Sequence, residues 1–322
     1  MIPIRDATAS KNTPVVNGVL IAINVVVFLL QMAQGQAGDR FIFTYGLVPA
    51  RYTLDHLAQH FTFGQQAFAW VSFMFLHGGW LHLIGNMWSL YIFGDNVEDR
   101  LGPVRYLLFY LACGVASGIS HVMLNADSLA PTIGASGAIA GVMGAYILLH
   151  PTSKILTLIP IVFIPWFVEI PAYFFLGVWF LLQFLSAAAS SGSGGGIAWW
   201  AHIGGFLCGM LFLKLFDRLP TSGLTARLRP ITAKKHSHRL QMARPVAAPI
   251  DADIHATISV SPYEALVGAR KLVSVSTGLQ RRIYQVIIPA GIIADQVLRL
   301  KDQGLPRADG SRGDVLLTVQ IQ

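Results

Sequence analysis

Four side chains stand out as able to do chemistry, because each is polar within a stretch that is otherwise apolar. Ser136 lies in Gly134-Ala135-Ser136-Gly137, and an apolar run without charge extends from Ser128 to Ser153. His202 lies far downstream in Ala201-His202-Ile203-Gly204-Gly205. His82 and Asn86, four apart in Trp80-Leu81-His82-Leu83-Ile84-Gly85-Asn86, fall on one face of a helix. A hydroxyl beside an imidazole can act as a nucleophile with its base. An imidazole N–H and an amide N–H₂ aimed at one point can hold an oxyanion. Each feature also has a structural reading. The glycines around Ser136 suit close helix packing, His202 could be satisfied by a neighbouring carbonyl, and His82 with Asn86 could tie helices together.

The elements that must position these residues are membrane helices. The chain has 322 residues, of which 54% are hydrophobic and 12% charged, against about 25% charged in an ordinary soluble protein. No Asp, Glu, Lys or Arg occurs between Asp55 and Asp95, or between Glu169 and Lys214. About 20 apolar residues cross a bilayer, and six spans are expected, at about 14–33, 79–97, 104–125, 134–150, 171–189 and 198–216. The expected fold is an all-α polytopic bundle of six helices. Residues 34–78 mix aromatics with polar residues and prolines, which suits structure lying in the membrane interface. Residues 155–168 are read as a hydrophobic connection, broken by Pro160 and Pro165.

On this layout Ser136 and His202 enter the membrane from the same side, at a depth of roughly 5–8 Å below their helix starts. Gly137, Gly141 and Gly144 form one small face, and Ala201, Gly205 and Gly209 another, so the two helices can approach closely. No acid is placed to orient His202, since Glu169 and Asp217 fall toward the opposite face. The expectation is a dyad of Ser136 and His202 rather than a triad. His77 and His121 also lie at or near apolar spans, but no HExxH or carboxylate partner appears, so neither a metal nor another cofactor is expected.

Basic residues favour both chain ends in the cytoplasm. No cleavable signal is expected, and the polar residues 1–13 read as a cytoplasmic segment before a retained first span. Residues 190–196 are rich in serine and glycine and are read as a flexible outer loop that frees the fifth helix to move. The net charge of +7 is concentrated in a basic, proline-containing linker at 219–250, which fits anionic lipid better than nucleic acid. Residues 251–322 are read as a small β domain, from the stretches Ala256–Val260, Lys271–Ser276, Ile283–Ile288 and Val315–Ile321. Cys113 and Cys208 read as packing residues. A transporter would place ionisable groups along several helices, and the charge-free spans speak against one.

Taken together, residues 14–216 resemble the rhomboid intramembrane serine proteases. The carriers are His82 with Asn86, Gly134-Ala135-Ser136-Gly137 and Ala201-His202-Ile203-Gly204-Gly205. They are joined by Phe75-Leu76-His77-Gly78-Gly79-Trp80-Leu81-His82 and Gly94-Asp95-Asn96-Val97-Glu98-Asp99-Arg100-Leu101-Gly102. The resemblance implies a protease domain over 14–218 that cuts single-pass transmembrane proteins near the outer face. Ser136 would be the nucleophile and His202 the base, with His82, Asn86 and the Ser136 N–H at the oxyanion. Two features depart from the pattern: Ala140 stands where many relatives place an aromatic beneath the histidine, and no tryptophan–arginine pair is evident in the first loop. The alternative is a catalytically silent member acting as a membrane-helix binder or quality-control adaptor. Residues 252–321 resemble the C-terminal peptide-binding domain of DnaJ-type chaperones, through Asp253-Ile254-His255, Tyr263–Gly268, Ile288–Gly291, Leu298–Lys301 and Gly313-Asp314-Val315. That resemblance implies a peptide or protein partner, or self-association. A bacterial inner membrane is the expected location.

Overall fold

The computed structural model describes residues 1–8, 10, 12–161, 164–189, 198–218, 240–243, 252–277, 280–307 and 310–321. They form two units, Met1–Ala233 and Lys234–Gln322, each taken by itself. The serine- and glycine-rich loop at 190–196 lies outside the described residues, as does most of the basic linker.

The first unit is a helical bundle. Its helices are α1 (Val15–Met32), α2 (Gly38–Tyr45), α3 (Asp55–Ala58), α4 (Phe63–Ser72), α5 (Trp80–Leu101), α6 (Pro103–Leu124), α7 (Ser136–Leu149), α8 (Ala172–Ala189) and α9 (Trp199–Arg218). α1, α6, α8 and α9 are each long and apolar enough to cross a membrane. Phe63–Phe75 and α5 meet that test as a pair bent by 79°. The six expected spans therefore correspond to α1, α5, α6, α7, α8 and α9, and the interfacial stretch folds as the short helices α2 to α4.

α7 is the centre of the bundle. It packs against α5, α6 and α9, and every residue from Gly137 to Tyr146 is buried. A helix apolar all round belongs inside. Its 14 residues rise only about 21 Å, short of the ~30 Å hydrocarbon thickness. Longer helices surround it, and Ser136 is its first residue.

Polar side chains seal the helix ends. α1 has no side-chain cap of its own. Its N–H groups at Val16 and Asn17 donate instead to the two carboxylate oxygens of Glu98 on α5, at 3.0 and 2.7 Å. The Asn17 side chain donates to Leu90 O at 3.0 Å and accepts from the Tyr106 hydroxyl at 2.7 Å, which joins α1, α5 and α6. Gly102, with φ +79°, turns the chain between α5 and α6, and Pro103 opens the latter.

Residues 155–168 connect α7 to α8, as expected, and the structure gives that connection its form. It is a hairpin, β2 (Lys154–Ile161) and β3 (Ile164–Pro171), to which the N-terminal strand β1 (Ile2–Asp6) adds in antiparallel order β1-β2-β3. Pro160 and Pro165, which suggested a break, oppose each other beside the hairpin end. Proline is tolerated there because few ladder bonds are lost. The polar segment 1–13 is thus tied to the bundle: Ile2–Asp6 pairs with β2, and Asn12 donates from its backbone N–H to Asp99 at 2.9 Å.

The second unit holds two three-stranded sheets, ordered β4-β6-β7 and β5-β9-β8. The strands are β4 (Leu240–Ala243), β5 (Ile254–Val260), β6 (Ala269–Thr277), β7 (Gln280–Ile288), β8 (Val297–Leu300) and β9 (Val315–Ile321). Alternate residues of β5, at Ile254, Ala256, Ile258 and Val260, are buried with Val315, Leu317 and Val319 of β9, which is the period of a half-buried strand. The helix α10 (Pro262–Val267) has a capping box between Ser261 and Glu264. β4 lies inside the stretch expected to be linker, and pairs in parallel with β6. Four residues between basic clusters carry too little period to be read as a strand.

Candidate active site

Ser136 and His202 meet. His202, on the first turn of α9, places Nε2 2.8 Å from Ser136 Oγ. That closeness rests on the backbones of α7 and α9, which touch through glycine. A Cβ added to Gly205 would lie 2.1 Å from Gly137 O, and one added to Gly209 would lie 2.1 Å from Gly141 O. Gly137, Gly141 and Gly144 also receive Ser117, Cys113 and the Phe206 carbonyl respectively. Any side chain at these positions holds the helices apart.

The turn before Ser136 is equally constrained. Gly134 has φ +124°, and a Cβ there would lie 2.8 Å from His82 Nε2. Its N–H donates to Phe73 O at 2.9 Å, while Thr132 and Leu47 exchange backbone hydrogen bonds at 2.8 and 3.0 Å. The segment entering α7 is therefore strapped to the first loop.

His82 and Asn86 on α5 line the same cavity as Ser136 and His202, a space of about 730 Å³. The Gly78 N–H donates to His82 Nδ1 at 3.2 Å. Nδ1 is thereby the acceptor, so the ring proton sits on Nε2, the nitrogen beside Gly134. Asn86 is buried, and its amide nitrogen has no hydrogen-bond partner among the described residues. A buried N–H₂ without a partner is costly unless something else accepts from it. As the first residue of α7, Ser136 also has a backbone N–H that the helix itself does not use. Three donors thus border the space in front of Ser136 Oγ.

The sequence reading left His202 without an orienting partner and with only Ala140 beneath it. The structure supplies both from α8. Gln183 Oε1 lies 2.7 Å from His202 Nδ1. The Trp179 ring, one turn earlier on the same helix, lies 6.1 Å from the imidazole with planes 31° apart. Trp199 meets the ring edge-on at 6.1 Å. The constellation is therefore Ser136, His202 and a neutral amide. The signal in the sequence was an isolated glutamine in a charge-free span, four residues after a tryptophan.

Arg51 was also missed. Its guanidinium is buried at 1% exposure, lies 3.6 Å from the Phe61 ring centroid, and donates to the carbonyls of Thr44 and Phe43. It anchors the first loop, where no tryptophan–arginine pair could be read. Trp70 packs against Tyr52 instead, with ring centroids 5.2 Å apart and planes tilted by 47°. His77 is buried with its ring 5.1 Å from that of His82. The Asn125 side chain donates to the His121 carbonyl at 3.0 Å, and neither His77 nor His121 lines the cavity that holds Ser136 and His202. No cluster of His, Cys, Asp or Glu that could hold a metal occurs among the described residues.

These features define a class: a polytopic helical membrane protein with a serine–histidine pair in a largely apolar cavity within the bundle. Residues 64–218 match the family described as Rhomboid domain, and residues 241–322 match the DnaJ C terminal domain. The chain thus carries a Rhomboid domain followed by a DnaJ C terminal domain. RHOMBOID-like protein 6, mitochondrial, of Arabidopsis thaliana is 31% identical over 50% of this chain and 47% of its own length. Rhomboid protein 1, mitochondrial, of Saccharomyces cerevisiae is 27% identical over 60% of this chain and 51% of its own. Rhomboid-like protein 11, chloroplastic, of Arabidopsis thaliana is 27% identical over 65% of this chain and 68% of its own. The chain thus spans about half the length of the first two of these relatives. Their names point to organelles and lend no support to the expected bacterial inner membrane. What stands is a membrane protein.

Proposed function

We propose that this protein is an intramembrane serine endopeptidase that cuts transmembrane segments of other proteins. The observation that carries the reading is the 2.8 Å contact between His202 Nε2 and Ser136 Oγ inside a cavity bordered by unused N–H donors. Nε2 takes the hydroxyl proton as Oγ bonds to the carbonyl carbon of the substrate peptide. The carbonyl oxygen becomes an oxyanion held by His82 Nε2–H, Asn86 Nδ2–H and the Ser136 N–H. The C–N bond then breaks, and the imidazolium passes its proton to the leaving amine. Water, deprotonated by His202, hydrolyses the acyl-serine and restores Oγ–H.

The depth of Ser136 sets the substrate class. With α7 too short to cross the bilayer by itself, Ser136 is read as lying below the membrane surface, so a peptide bond reaches Oγ only from a segment within the bilayer's outer part. A helix must unwind locally to expose that bond, which favours substrates with small or helix-breaking residues there. The basic residues flanking the spans favour cytoplasmic ends, placing the site toward the outer face. The DnaJ C-terminal domain is read as a module that binds a peptide or protein partner, or a second copy of itself.

The test is cleavage of a model single-pass substrate by the purified protein in liposomes. Wild type should cut and Ser136→Ala should not. An inactive wild type that takes no serine-directed label would instead favour a silent adaptor acting through its C-terminal domain.

A further inference from the structure

We propose that Gln183 on α8 is the positioning residue of the His202 base, its amide oxygen holding the Nδ1 proton so that Nε2 faces Ser136 unprotonated. The inference rests on the serine–histidine reading above.

The distances suit the role. Gln183 Oε1 is 2.7 Å from Nδ1, while Nε2 is 2.8 Å from Oγ. An amide oxygen only accepts, so Nδ1 is the protonated nitrogen and Nε2 the free base. With the amide turned over, its N–H₂ would instead select the tautomer that cannot take the serine proton. Gln183 is 8% exposed, on a helix whose Leu181, Leu182, Phe184 and Leu185 are all exposed apolar residues. An amide in that setting is costly without a partner, and His202 is the partner present. Trp179, on the same face of α8, flanks the imidazole, so one helix supplies both the wall and the acceptor.

The chemistry explains why an amide serves where soluble enzymes use a carboxylate. A buried carboxylate in an apolar bundle carries a large desolvation cost, whereas an amide fixes the tautomer without a charge. Imidazolium stabilisation is correspondingly weaker. Since α8 packs chiefly on α9, any outward movement of α8 takes the acceptor with it. His202 is then oriented only while α8 is seated.

The test compares wild type, Ser136→Ala, Gln183→Leu and Gln183→Glu as full chains in liposomes. Four quantities are read: kcat, KM, the rate of Ser136 labelling by a fluorophosphonate, and the melting temperature. Leucine removes the acceptor at similar volume, and glutamate restores an oxygen. Gln183→Leu should lose roughly 10–100-fold in kcat and in labelling rate, less than the ~10⁴-fold cost of the aspartate-to-asparagine change in a soluble triad. KM should stay within about twofold, because leucine keeps the volume that Gln183 fills in the cavity wall. Gln183→Glu should recover both rates. A Gln183→Leu variant with wild-type kcat and labelling overturns the proposal. So do equal losses in both variants accompanied by equal falls in melting temperature, which would make Gln183 a structural tie. If glutamate does not insert, the leucine variant at unchanged melting temperature decides alone. A folded wild type that neither cleaves nor takes label removes the dyad reading, and the positioning role with it. An active wild type with unimpaired Gln183 variants removes the positioning role only.

Discussion

Adding one methyl group at Gly205 should separate the serine from its base without unfolding the protein. The added Cβ would stand 2.1 Å from Gly137 O, whereas such carbon–oxygen contacts settle at about 3.3 Å or more. Both atoms belong to helical regions that cannot rotate out of the way, so α9 must move from α7 by about 1.2 Å. His202 lies one turn from Gly205, and the shift carries Nε2 from 2.8 Å to roughly 4 Å from Oγ, beyond hydrogen-bond reach. A misplacement of about 1 Å costs on the order of 10²-fold in rate, and overpacking costs about 1–3 kcal/mol of stability. The assay is kcat for cleavage of a transmembrane substrate in liposomes, together with thermal melting of the same preparation. Gly177→Ala on α8 is the control, because a Cβ there meets nothing within 4 Å. It should leave kcat unchanged and raise helix stability by up to ~1 kcal/mol. A Gly205→Ala variant that cleaves at the wild-type rate would refute the claim that backbone contact sets the dyad distance.

Asn86→Ala should lower kcat by about 10²–10³-fold with little change in KM, as removal of one oxyanion donor does elsewhere. A raised KM with kcat unchanged, read by steady-state kinetics, would assign the residue to substrate binding instead. Arg51→Leu leaves the carbonyls of Phe43 and Thr44 without their charged donor, and should cost about 2–3 kcal/mol in thermal unfolding. Hydrogen exchange should show the loss concentrated in residues 38–75. In the second unit, the backbone N–H of Asp302 and then the Arg299 guanidinium hold the Asp314 carboxyl below its ordinary 3.8. A depressed carboxylate contributes stability above the unfolded value and loses it as pH falls through the folded one. Acid titration followed by hydrogen exchange in β5, β8 and β9 should therefore show loosening below pH 3.8. Asp314→Asn should remove much of that dependence, and an unchanged titration would contradict the assignment.

How much could be read beforehand differs by residue, for physical reasons. Helix positions were legible because apolar content is a local property. Every span found by composition lies within a few residues of a helix end, from α1 to α9. Ser136, His202, His82 and Asn86 were legible as polar side chains in apolar surroundings at helical spacing. The hairpin β2–β3 was not, because its apolar residues and prolines look the same in a loop as beside a turn. Their pairing with each other and with Ile2–Asp6, remote in sequence, is what gives them a ladder.

The sequence by itself determined which segments are apolar, which residues can carry a proton or a nucleophile, and where glycine permits close approach. These are properties of side chains and their nearest neighbours along the chain. Only the tertiary structure decided that α7 is the buried centre of the bundle. It alone brought Gln183 and Trp179 to His202, and closed Arg51 between the first loop's carbonyls and rings. Each of those facts depends on a partner remote in sequence, and an isolated glutamine or arginine carries no mark of which partner it will meet.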